Sequence, residues 1–240
     1  MSEPTVWSVL RQRWRDTRSR KAFPASLREI AADFWEFLKE STPERKRRRY
    51  GDVEYDWDHD ADTTSATVSH RGRLLAALAG APYQPSEPAI FREMIQAVDS
   101  DLRDFTFIDL GSGKGRTLLL AAEFPFRRIV GVELVPELHH VAQRNIAAIP
   151  EEIRKGRDIE LICADARAYV FPPEPIFLYL FNPLPAAAVQ QVIENLRRSL
   201  ENHPRPVRVV YNHPTWEQVL TDAPFLRKIG GKFQYSIYSN

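Results

Sequence analysis

The chain has 240 residues, 43% hydrophobic and 27% charged, with a formal net charge of +1. That suffices for a sizeable core in a single α/β domain, and it gives no overall attraction to polyanions. The opening residues lack an apolar signal-peptide core, no later run is long enough to span a membrane, and the lone Cys163 excludes an intrachain disulfide or thiolate cluster. The expectation is a soluble, cytoplasmic protein in which Cys163 is an inert buried thiol.

In chain order, Trp7, Leu10 and Trp14 fall at helical spacing. A second helix opens with the capping box Ser26-Leu27-Arg28-Glu29 and carries Ile30, Phe34, Phe37 and Leu38 on one face. A short basic helix follows from Pro43 to the stop at Gly51 and includes "ERKRRR" at 44–49; such a run is usually a solvated face. The first fifty residues hold thirteen Lys and Arg against seven Asp and Glu. Over 52–62 the acids fall at every second position, alternating with Val53, Tyr55 and Trp57, which predicts an extended segment with one wet face. "DWDHDAD" within it lacks the glycine and glutamate that an EF-hand loop requires, so a solvated loop is favoured over a calcium site. A short helix ending at Gly80 leads to the turn "YQPSEP" and a helix with Ile90, Met94, Ile95 and Val98 on one face. Residues 1–82 read as a helical extension or lid and 83–240 as a separate domain.

From residue 105 the pattern alternates strictly. Strands are predicted at "FTFIDL", "RIVGVEL", "IELICA", "IFLYLFN" and "VRVVYN", with helices beginning near Gly115, Pro136, Ala166, Pro185 and Thr215, and "FLRKIG" with "FQYSIYS" as a closing hairpin. The implied fold is α/β: a doubly wound, mostly parallel seven-stranded sheet with a C-terminal antiparallel hairpin. Ligands of such sheets bind beyond the carboxyl ends of the strands. The residues there are Asp109 with Gly111, Gly113 and Gly115, then Glu133, Asp165 and "FNPLP" from 181. Alternating glycines before a helix suit close approach of backbone to a ligand. A dinucleotide fingerprint would need glycine at Arg116, and the P-loop Gly-Lys-Ser/Thr is also missing.

"DLGSGKG", Glu133 in "GVEL", Asp165 in "CADA" and Asn182-Pro183 in "LYLFNPLP" together resemble the class I, Rossmann-like S-adenosylmethionine-dependent methyltransferases, over about residues 83 to 240. The resemblance implies S-adenosylmethionine as cofactor. Gly111, Ser112, Gly113 and Gly115 would cradle its amino-acid and ribose portion, with Asp109 holding the ammonium end directly or through water. Glu133 matches the acid that accepts from the ribose hydroxyls, a task suited to an acceptor-only carboxylate. Asp165 matches the acceptor of the adenine amino group, with the Ala166 N–H beside it. Asn182, the last predicted site residue, matches the mouth where the methyl departs and is expected to bind cofactor and orient the acceptor.

Tyr83 is a candidate pocket wall, alongside the alternative of a packed loop tyrosine. Asn182-Pro183-Leu184-Pro185 lacks the aromatic that stacks on planar targets in related amino-methyltransferases, which disfavours a flipped base. The expected acceptor is an amine on a protein side chain or small molecule. A nucleic-acid acceptor, drawing on the basic segment 44–49, and a catalytically silent S-adenosylmethionine-binding protein are the alternatives. His139 and His140 are adjacent and read as exposed residues, and His59, His70, His203 and His213 show no ligand spacing, so no metal is expected.

Overall fold

Strands covered on both faces need apolar side chains on both, and the sequence supplies runs such as "IFLYLF". The computed structural model describes residues 53–69, 72–74, 83–150, 152, 158–181 and 184–240. It contains β1 (Thr106–Leu110), β2 (Arg128–Glu133), β3 (Asp158–Cys163), β4 (Ile176–Phe181), β5 (Val207–Asn212), β6 (Arg227–Lys232) and β7 (Tyr235–Ser239). They form one seven-stranded sheet in the order β3-β2-β1-β4-β5-β7-β6. Neighbours from β3 to β5 are parallel, and β7 runs antiparallel to both β5 and β6. The expected sheet and closing hairpin are thus present. Strand order reverses between β1 and β4, so a crevice opens at the carboxyl ends of those two strands.

The helices are α1 (Val53–His59), α2 (Pro88–Gln96), α3 (Arg116–Ala121), α4 (Pro136–Ala148), α5 (Ala186–Asn202) and α6 (Glu217–Thr221). One core gathers Phe91, Met94 and Ile95 of α2 with Leu118 of α3, Phe107, Phe177 and Tyr179. The other gathers Val192 and Leu196 of α5 with Ile108, Leu110, Leu178 and Tyr211. Alternation along β1 sends Phe107 to the first core and Ile108 to the second, and Asp109, next in line, is itself buried.

Several expectations change. The alternating acids at 52–62 do not form an extended segment: residues 53–59 are helical, with Tyr55 and His59 stacked one turn apart at 4.1 Å. Nor is the loop wholly solvated, because Asp56 is buried. Seven residues are too few to separate a period of two from one of 3.6 when acids and aromatics interleave. The helix expected from Ala166 is a single 3₁₀ turn, Ala166–Ala168. His139 is buried rather than exposed, and Cys163 is only half-buried because β3 is an edge strand. β6 begins two residues later than its sequence suggests, for every residue in it is exposed and no core pattern marks it. The helices read before residue 52 lie outside the described residues, as does most of the one ending at Gly80. No described helix is long and apolar enough to cross a membrane.

Candidate cofactor and acceptor site

The loop after β1 turns through three left-handed residues, Gly111 (φ 100°), Gly113 (φ 55°) and Gly115 (φ 85°), before entering α3. Side chains other than glycine rarely adopt such angles. The loop is pinned to the end of β2: the Gly111 and Ser112 N–H groups donate to the Val132 carbonyl at 2.8 and 3.1 Å. The Gly113 N–H donates to Glu133 Oε2 at 2.8 Å, and the Val135 N–H to Oε1 at 2.7 Å. One carboxylate therefore joins two loops. Burial raises the Glu133 pKa above the ordinary carboxylate value, and these backbone donors oppose the rise.

Asp109 is 3% exposed and accepts from the Thr117 hydroxyl of α3. Burial first, and the nearby Glu133 charge second, push its carboxyl up to about 7, against the opposing Thr117 hydrogen bond. Asp165, after β3, caps the 3₁₀ turn by accepting from the Arg167 N–H at 3.0 Å, and its other oxygen pairs with the Arg167 guanidinium at 2.8 Å. Ala166 beside it is buried. Asn182 lies outside the described residues, so its side chain takes no part in the geometry that follows.

Tyr83 is brought to the glycine loop. Its hydroxyl donates to the Thr63 carbonyl at 2.5 Å, and its ring edge lies where a side chain on Gly113 would go. The sequence pointed to Tyr83 but not to the segment that holds it. Residues 61–69 form a strap over the loop, bound by two cations of the loop itself. Lys114, 1% exposed, donates to Asp62 Oδ1 at 2.8 Å, to the Thr64 carbonyl at 2.9 Å and to the Thr67 hydroxyl. Arg116 donates to the Thr63 hydroxyl at 2.6 Å, approaches Asp56 at 3.5 Å and lies 5.0 Å from the centre of the Tyr55 ring. Asp56 also accepts from the Thr63 and Thr64 N–H groups at 2.8 Å. Asn145 of α4 completes the clasp, receiving the Asp62 N–H at 3.0 Å and donating to the Asp62 and Lys114 carbonyls at 2.9 Å. The available signal was two cations inside a glycine loop that binds no phosphate motif.

On β4, in register with Asp109 of β1, the buried Tyr179 hydroxyl meets Ser86 Oγ at 2.8 Å and receives Asn212 Nδ2 at 3.0 Å. Asn212 Oδ1 in turn meets His213 Nδ1 at 2.9 Å, and the His213 ring packs on Phe181 with centroids 5.4 Å apart.

Whether these residues fit a nucleoside cofactor is decided by two observations. Ser112 Oγ is buried with no hydrogen-bond partner among the described residues, and the buried Glu133 oxygens, held by backbone N–H groups, can each accept more than one donor. An unsatisfied hydroxyl in the loop after β1 and an acceptor-only carboxylate at the end of β2 suit a ligand with hydroxyl and amino groups. Residues 107–203 match the family model described as "Methyltransferase domain". Those residues thus carry a methyltransferase domain, and the sheet order and glycine loop are consistent with the class I, Rossmann-like S-adenosylmethionine-dependent methyltransferases.

This methyltransferase is also similar in structure to an RNA methyltransferase from Salinibacter ruber in complex with S-adenosyl-L-homocysteine, at 24% identity over 65% of this chain and 92% of that one, TM-score 0.42. A ribosomal protein L11 methylase from Lactobacillus delbrueckii subsp. bulgaricus aligns at 16% identity over 67% and 81%, TM-score 0.45. The glycopeptide N-methyltransferase MtfA aligns at 12% over 65% and 90%, TM-score 0.49. Among curated proteins no sequence matches. The three named structures carry different acceptors in their names, and at these scores none bears on the acceptor of this methyltransferase.

Proposed function

We propose that this methyltransferase transfers a methyl group to an amine on a protein side chain or small molecule, with residues 53–69 and Tyr83 forming part of a lid over the cofactor. The observation that carries the reading is the alignment of the glycine loop, Glu133 and Asp165 at the carboxyl ends of three adjacent strands. In it, Gly111, Ser112, Gly113 and Gly115 hold the amino-acid and ribose portion, Asp109 the ammonium end, Glu133 the ribose hydroxyls, and Asp165 with Ala166 the adenine edge. S-adenosylmethionine supplies, when bound, a methyl already activated on a sulfonium. The chain's task is then to hold the acceptor in line and exclude water. Asn182 orients the incoming nucleophile.

An amine is favoured by charge. Lys114 and Arg116 are engaged by the strap, whereas α1 and the residue after it expose Asp58 and Asp60 beside a Trp57 that is 81% exposed. Such a surface suits a cation better than a polyanion. Calorimetry with S-adenosylhomocysteine tests the cofactor half: Glu133→Ala should bind at least ten-fold more weakly than wild type, and equal binding would remove Glu133 from the site. Labelled methyl transfer into a lysate of a deletion strain, separated into protein, RNA and small-molecule fractions, tests the acceptor. Label confined to RNA would favour the nucleic-acid alternative, and binding without any transfer the silent one.

A further inference from the structure

We infer that His213 is the proton acceptor for the methyl-accepting amine, a role that rests on the transfer reading above. His213 follows β5 directly and is exposed, with its ring against Phe181, the last residue of β4. It therefore stands at the carboxyl edge of the sheet, next to the end of β4, where Phe181 is in register with Asn212. Its backbone is left-handed, φ 48°, and both backbone polar groups are engaged: its N–H donates to the Gln234 carbonyl at 2.7 Å, and its carbonyl accepts from the Thr215 N–H at 2.8 Å. The bend is thus fixed from β7's side of the hairpin and from the turn into α6, and it holds the imidazole on Phe181.

The hydrogen-bond chain behind the ring sets which nitrogen is basic. With Asn212 Nδ2 donating to Tyr179, the amide oxygen is left to face His213 Nδ1, and an amide oxygen only accepts. Nδ1 must then carry the hydrogen, which leaves the lone pair of neutral imidazole on Nε2. No hydrogen bond among the described residues reaches Nε2. Tyr179 is fully buried, and burial raises its pKa well above the ordinary phenol value, so the phenol stays protonated and the chain Ser86–Tyr179–Asn212–His213 keeps its polarity. An amine reaches the site as an ammonium with no free pair. One N–H bond breaks and its proton passes to Nε2. The pair left on nitrogen forms the bond to the methyl carbon as the carbon–sulfur bond opens and its electrons return to sulfur. The imidazolium then releases its proton to solvent.

The variant His213→Asn keeps a residue that tolerates left-handed backbone, so folding is retained. Nitrogen-15 NMR of the wild type should show the neutral Nδ1–H tautomer of His213; an Nε2–H tautomer would overturn the assignment, with no acceptor needed. With tritiated S-adenosylmethionine and dialysed deletion-strain lysate as the acceptor pool, His213→Asn should lose about a hundred-fold in rate. Added imidazole should restore part of it, and S-adenosylhomocysteine affinity should be unchanged. A wild-type rate in the variant, or a loss that imidazole does not relieve, overturns the role of His213 while leaving methyl transfer intact. No incorporation by the wild type overturns the transfer reading and this role with it.

Discussion

The ring of Tyr83 fills the space that a side chain on Gly113 would need: a Cβ there would collide with Tyr83 Cε2. Gly113→Ala must therefore displace the ring and also adopt φ 55° with a side chain. The expected result is a loss of about 2 kcal/mol in stability and at least a ten-fold loss of S-adenosylhomocysteine affinity, measured by denaturant unfolding and calorimetry. In a Tyr83→Ala background the steric part should disappear. An equal loss in both backgrounds would show that the two residues do not oppose each other.

The strap should behave as one unit with the loop. Asp56 and Arg116 are 6% and 2% exposed, so Asp56→Asn takes a buried negative charge away from a buried guanidinium. The expected cost is about 3 kcal/mol. Adding Arg116→Met should recover part of it, because a buried pair removed together costs less than one partner removed alone. Additive losses in urea titrations of the two single variants and the double would contradict this coupling.

Stability should fall as pH rises from about 4 to about 7. Asp109 has its carboxyl pushed up to about 7 from an ordinary value of 3.8, so between those values the folded chain holds a proton that the unfolded chain has released. The folded state is then favoured at the acid end, and its advantage is lost as pH climbs through the folded value. Asp109→Asn, which cannot ionise, should show a weaker decline of Tm between pH 5 and 8 than wild type. The contribution of Glu133, raised in the same direction, remains in both. Parallel curves would assign the decline elsewhere.

Asp165 and Asn182 should separate binding from turnover. Asp165→Ala removes a carboxylate on the third strand's side of the site, where it is already held by Arg167. It should weaken cofactor binding by roughly ten-fold, about 1.4 kcal/mol. Asn182→Ala should bind cofactor nearly as wild type and turn over at least ten-fold more slowly. The reverse pattern in KM and kcat would exchange their roles.

The parallel strands were legible because burial on both faces writes an apolar run, as in Ile176–Phe181, and the acids that follow them stand out against it. Exposed β6 carries no such run, so its limits came out shifted. The clasp was not legible for a different reason. Lys114 meets Asp62, and Arg116 meets Asp56, across 52 and 60 residues, and no local period reports a pairing at that distance. His213 was considered only for metal-ligand spacing. Its distinguishing features, a left-handed backbone and an amide neighbour oriented by Tyr179, exist only once β4 and β5 are side by side.

The placement of β7 between β5 and β6 gives the two halves of the crevice different histories during synthesis. Among the described residues β1, β2 and β3 pair only with one another and with β4, so the glycine loop and Glu133 can be assembled while the chain beyond residue 212 is still on the ribosome. The bend at His213 cannot, because it waits for the Gln234 carbonyl, and β5 keeps a bare flank until residues 235–239 arrive to pair with it. A nascent chain would thus acquire the glycine-loop side of the sheet first and the β5 edge last, with an open β5 flank as the interval's vulnerable surface.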